Sequence, residues 1–222
     1  MSNMFLLFCL ALIIPMVFVV GVLVGSTVRN NHRYRLVLNQ NQGEAAVRKI
    51  IIANFKPPNF HLLNNVTIPF QDGTTQIDHI LISTKGIFVL ETKHYKGWIY
   101  GDEKSKTWTQ VTFHVKNQFQ NPLRQNYRHI KVLQELLDFL PKEQIHSIVV
   151  FTGDGVFRSE LPKKVVYLHQ LVDYLQPFQD DVISLNQVEF CIGRLEHKRY
   201  EITKATDIQH RAYLAKKFND AN

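Results

Sequence analysis

The chain has only two cysteines in 222 residues, Cys9 and Cys191, and no CxxC pair. That excludes a disulfide framework and agrees with a reducing compartment. No histidines are paired at metal-ligand spacing, so a zinc signature is missing as well. There is no internal repeat and no low-complexity run. Charge is also missing from the start of the chain: no Lys, Arg, Asp or Glu occurs before Arg29.

What fills that uncharged stretch is a run from Met4 to Val24 that is almost wholly apolar. About twenty such residues span a bilayer core as a helix. A cleaved signal peptide is the rival reading. The absence of a basic residue before the run, and its length, favour an anchor. Pro15 lies within it, which membrane helices tolerate. Arg29, Arg33 and Arg35 follow at once, with His32 among them. This one-sided basic flank places the C-terminal portion in the cytoplasm. The chain therefore divides into a transmembrane helix at 4–25 and a basic juxtamembrane linker at 26–39, with a soluble region beyond. The formal net charge of +7 lies outside the neutral apolar run. A basic balance suits nucleic acid, anionic lipid or simple solubility.

The soluble region is long enough for one domain with a full core. Gly43–Ile52 reads as a helix with Ala46, Val47, Ile50 and Ile51 as its apolar stripe, ended by Pro57-Pro58. Phe60–Phe70 reads as a strand with an irregularity at Asn64-Asn65, and Asp72-Gly73 as a turn. Two apolar runs around Thr84-Lys85-Gly86 then predict a β-hairpin. Short strands follow at 97–101 and 108–111. Asn121-Pro122 opens a long helix, with Leu123, Tyr127, Ile130, Leu133, Leu137 and Leu140 on one face and Pro141 closing it. Ile145–Phe151 reads as a buried strand and Val165–Leu168 as another. A short helix at 169–175 and a longer one at 186–200 follow, with Val188, Cys191, Ile192 and Leu195 as an apolar stripe that reads as core packing, the alternative being a partner-binding appendage at about 156–222. The tail after Glu201 is mixed and basic. This order predicts an α/β sandwich around a mixed sheet.

The chemistry concentrates in the hairpin. Period-two alternation points Glu91 and Lys93 the same way and Thr92 the other. Folding back at the turn brings Asp78 near Glu91. Two carboxylates and one ammonium at the end of an apolar hairpin must pair or hold a cation. Paired oxygen donors suit Mg²⁺, and a lysine beside them can orient water or stabilise phosphate charge. The bland alternative is a solvated strand end with an ordinary Glu–Lys pair. His79 points away from Asp78 and reads as a hydrogen-bonded structural residue. Lys96, Lys104, Lys106, Lys116, Arg124 and Arg128 flank the hairpin in sequence and are candidates to hold phosphates.

The succession Gly43-Glu44, Gln76-Ile77-Asp78-His79-Ile80, Gly86 to Lys93, Gly97-Trp98-Ile99, Trp108 and Asn121-Pro122-Leu123-Arg124-Gln125 resembles the nuclease-related domain, NERD, over about residues 40–155. That family is similar to the PD-(D/E)xK nuclease superfamily, although Ile77 stands where the superfamily label has proline. The resemblance implies a restriction-endonuclease-like mixed β-sheet flanked by helices; beyond the region it covers, residues 156–222 read as a C-terminal α/β extension. It implies Asp78 and Glu91 as metal ligands, joined by the Thr92 carbonyl, with Mg²⁺ or Mn²⁺ as the ion. Lys93 corresponds to the catalytic lysine, Glu44 to the acidic helix residue that faces the metal, and Gln125 to the glutamine that completes the site. The implied activity is phosphodiester hydrolysis in nucleic acid, with DNA as the expected partner. Many metal nucleases of this fold act as dimers, so a homodimer is compatible. The alternative is a catalytically silent module that tethers nucleic acid or protein to the membrane.

Overall fold

A computed structural model describes residues 42–71, 73–113 and 115–219. The expected span at 4–25 and the linker at 26–39 lie outside the described residues. Among the described residues, no helix is long and apolar enough to cross a membrane.

The chain opens with helix α1 (Gln42–Asn54) and continues into three antiparallel strands, β1 (Phe60–Phe70), β2 (Gly73–Ser83) and β3 (Gly86–His94). The β2–β3 turn is the expected one: Ser83 pairs with Gly86 across Thr84-Lys85. Gly86 has φ +128°, a conformation that side chains other than glycine's rarely adopt. Three short strands follow, β4 (Gly97–Tyr100), β5 (Thr107–Thr112) and β6 (Val115–Gln120). Helix α2 (Pro122–Leu136) then leads to β7 (Ile145–Thr152). The remainder is β8 (Gly155–Phe157), β9 (Val165–Tyr167) and helices α3 (Leu171–Leu175), α4 (Leu185–Lys198) and α5 (Lys204–Asn219).

The strands form two sheets. The larger has the order β1-β2-β3-β7-β9 and the smaller β6-β5-β4-β8. In the larger sheet β1, β2 and β3 are antiparallel, while β7 runs parallel to β3 and β9 parallel to β7. The mixed sheet agrees with the expectation. Its apolar strands β3 and β7 are buried along nearly their whole length because helices cover both faces. One core joins Ile80, Ile82, Ile87 and Val89 to Leu133 of α2 and to Val188, Cys191 and Leu195 of α4. The stripe on α4 is therefore core packing, as its spacing indicated. A second core on the other face joins Val47 and Ile51 of α1 to Leu81, Phe88, Leu90 and Ile148, with Leu171 of α3.

The structure differs from the sequence reading in four places. Strands β6 and β8 were not foreseen: β6 is polar and largely exposed, and β8 has only three residues, so neither carries a clear apolar pattern. The tail after Glu201 contains α5, whose apolar residues do not gather on one face. On α2, Tyr127 is not on the inner face but is 58 % exposed. Asn126 and His129 are buried instead, because the sheet supplies polar partners for both.

Candidate functional site

The site lies where the β1–β2–β3 ladders break. β1 and β2 pair on either side of Asn65 and Asp78 but not at that position, where Asn65 has φ 50°. The β2–β3 ladder ends at His79 and Leu90, one residue short of Asp78 and Glu91. A free strand amide must find another acceptor. The Thr92 N–H finds Asp78, donating to Oδ2 at 2.7 Å. The irregularity read at Asn64-Asn65 is thus the feature that turns a carboxylate toward the neighbouring strand.

Glu91 and Lys93 share one face of β3, and Lys93 Nζ donates to Glu91 Oε1 at 2.6 Å. Lys93 also donates to Gln125 Oε1 on α2 at 3.0 Å. Asn121 caps α2, accepting the Leu123 N–H, and Pro122 occupies the first turn. These two residues fix where Gln125 projects. The ammonium is thus held between a strand and a helix.

His129, one turn beyond Gln125, reaches the other oxygen of Glu91, with Nε2 at 3.2 Å from Oε2. Its Nδ1 lies 2.9 Å from the Thr75 hydroxyl. With the proton on Nε2, the ring donates to Glu91 and accepts from Thr75. Asn126 lies between these two residues, its amide nitrogen within reach of the Val89 and Ile148 carbonyls and the Ser147 hydroxyl. It docks α2 on β3 and β7 together. Sequence reading missed both residues. The available signal was the helical spacing of Gln125 and His129, which places them on neighbouring turns of one face.

Glu44 stands in the first turn of α1. Gly43 beside it lets that turn press against the sheet: an added Cβ would lie 2.4 Å from Thr152 Oγ1 and 2.9 Å from His94 Cβ. Close approach of this kind is what glycine permits. The C-terminal helix also reaches the site. Gln76 donates to Asp207 at 3.3 Å, and Thr74 Oγ1 lies 2.8 Å from His210 Nδ1.

The charges are unbalanced. Burial raises the pKa of Glu91, but Lys93 and His129 outweigh it and hold the group below its ordinary 4.5. Burial likewise disfavours the Lys93 ammonium, and Glu91 outweighs that, raising its pKa above 10.5. Asp78 goes the other way. Burial, then Glu91 and Glu44, raise it well above 3.8, and the Thr92 N–H and Lys93 offset only part. Glu44 is raised to about 7 by burial and by Glu91, with Asp207 adding to the effect and Lys93 opposing it. One lysine faces several carboxylates, and two of them, Asp78 and Glu44, are raised toward the protonated form. Their hard oxygen donors are those Mg²⁺ or Mn²⁺ prefers. Among the described residues, no group of three or more His, Cys, Asp or Glu is close enough to enclose an ion. Mg²⁺ does not require such a cage, because it keeps several waters and is held by one or two carboxylates. The residues present fit the ion.

His79 is fully buried and bonds Asn64 Oδ1 through Nδ1 at 2.7 Å. Burial lowers its pKa to about 4, with Arg48 adding to the effect. That is the structural histidine expected.

Residues 39–152 match the nuclease-related domain family. The chain belongs to the NERD family. The NERD match covers the strands bearing Asp78, Glu91 and Lys93 and the helix bearing Gln125. The chain is also 37 % identical over 186 residues to an uncharacterised protein of Bacillus anthracis, covering 79 % of this chain and 84 % of the relative. No solved structure matches the NERD chain.

Proposed function

We propose that the protein is a metal-dependent nuclease that hydrolyses phosphodiester bonds, with DNA as its substrate, anchored to the membrane by residues 4–25. The observation that carries this reading is the Asp78–Glu91–Lys93–Gln125 constellation, in which one ammonium is fixed beside an excess of carboxylate. The apolar run and its arginine flank support the anchor and a cytoplasmic domain.

Asp78 and Glu91 would hold Mg²⁺ or Mn²⁺, with the Thr92 carbonyl as a further oxygen and Glu44 beside them. Bound there, the ion would supply Lewis acidity toward the phosphate and a more acidic water. The chain's own residues do the rest. Lys93 stays protonated, and its position between Glu91 and Gln125 fixes its Nζ against developing phosphate charge. Glu91 stays ionised because Lys93 and His129 stabilise it. Glu44, whose carboxyl burial and Glu91 raise toward neutral pH, would stand beside the ion as the acidic residue of the first helix.

The test is cleavage of labelled single- and double-stranded DNA and RNA by the purified full chain in Mg²⁺, Mn²⁺ or EDTA. Cleavage should require the cation and should vanish in Asp78→Ala and Lys93→Ala variants that retain their circular dichroism. Undiminished cleavage by folded Asp78→Ala, or no cleavage by folded wild type on any substrate, would overturn the proposal.

A further inference from the structure

Helix α2 has a second functional face. Its inner side carries Gln125, Asn126 and His129 to the site. Its outer side borders a groove of about 780 Å³ whose lining includes Lys106, Gln118, Phe119, Arg124, Tyr127 and Arg128. That volume lies within the range of ligand clefts, about 300–1,000 Å³. Three cations line the groove and no carboxylate does. Lys131 adds a fourth positive charge, with its Nζ 5.3 Å from the centre of the Tyr127 ring. The groove is fixed in place, since Arg124 donates to the Lys104 carbonyl and Asn121 ties the start of α2 to the same loop.

Tyr127 is 58 % exposed beside these cations. An exposed ring among lysines and arginines offers a stacking face to an unpaired base and counter-charge to its phosphates. A duplex hides its base faces in the stack, so an aromatic platform of this kind favours a single strand. Arg124 and Gln125 are adjacent on α2 but serve different sides of it: Arg124 lines the groove, and Gln125 accepts from Lys93.

We infer that this groove binds a single-stranded segment of nucleic acid, with a base stacked on Tyr127 and phosphates held by Lys106, Arg124 and Arg128. The inference deepens the nuclease reading and rests on it for the substrate class, but binding is measurable without turnover.

The experiment measures fluorescence anisotropy of labelled oligo-dT, oligo-U and a DNA duplex of equal length with the purified full chain in EDTA. Wild type should bind a single strand more tightly than duplex, and the dT and U arms compare a DNA with an RNA single strand. Tyr127→Ala should weaken single-strand binding roughly tenfold, the scale of one lost base stack, and leave duplex binding unchanged. Arg128→Gln should reduce the slope of log affinity against log salt by about 0.7, the value for one phosphate contact on a single strand. Both residues are exposed, so thermal unfolding should be unaltered. Equal single-strand affinity in Tyr127→Ala and wild type, or equal losses on single strand and duplex, would overturn the inference. Intact Tyr127-dependent binding without metal-dependent cleavage would instead remove the nuclease reading alone.

Discussion

Replacing Glu44 by glutamine probes the charge balance of the site without assuming any activity. The first turn of a helix normally favours a carboxylate. Here burial and Glu91 win, and the pKa rises from 4.5 to about 7. Between those values the folded protein holds a proton that the unfolded chain has released. The raised pKa therefore contributes stability that is full below pH 4.5 and lost as pH climbs through about 7. At ~1.4 kcal/mol per pH unit the whole effect is roughly 3 kcal/mol. Glu44 is only part-buried, and solvent screening brings the expectation to about 1–2 kcal/mol. Glutamine is neutral at every pH. Glu44→Gln should match wild type near pH 4.5 and exceed it by that amount at pH 8, raising Tm by about 3–7 °C. The assay is thermal unfolding followed by circular dichroism in EDTA at pH 5 and pH 8. Asp78 is raised in the same sense, partly by Glu44 itself, so the difference between the two proteins reports Glu44 together with its coupling to Asp78. Parallel pH profiles, or a variant less stable than wild type at pH 8, would refute the reasoning. Mg²⁺ added at pH 8 should also stabilise wild type, because a bound cation relieves the same repulsion.

His129→Ala leaves Glu91 Oε2 buried without its partner and should cost about 2 kcal/mol. Since the Glu91 pKa is lowered in the fold, its contribution is full above pH 4.5 and is lost as pH falls from there through the lowered folded value, so the defect seen in urea unfolding should shrink steadily as pH is taken below 4.5. A defect that does not change with pH would assign His129 to packing alone. Gly43→Ala forces a Cβ against Thr152 and His94, and should destabilise the protein by about 1–3 kcal/mol while displacing Glu44. Unchanged urea unfolding would show that α1 does not depend on that close approach.

The hairpin and its charges were decided by the sequence itself. Alternation along a strand is a local property, so Glu91 and Lys93 had to share a face and Thr92 had to oppose them. The apolar runs of β3 and β7 announced burial on both sides of a sheet, and the Asn121-Pro122 pair announced the start of α2. Gln125 was legible only through the family resemblance, since nothing in its own neighbourhood marks it. His129 and Asn126 depended on tertiary structure, because a buried polar residue is tolerated only where distant segments supply its partners: Thr75 and Glu91 for one, β3 and β7 for the other. The same holds for α5, which has no strong apolar stripe and takes its place through Asp207 and His210 against β2. The imbalance of charge is likewise a tertiary result. Asp78, Glu91 and Glu44 are ordinary carboxylates in the chain; burial and their mutual proximity lift Asp78 and Glu44, while Lys93 and His129, brought in from β3 and α2, lower Glu91.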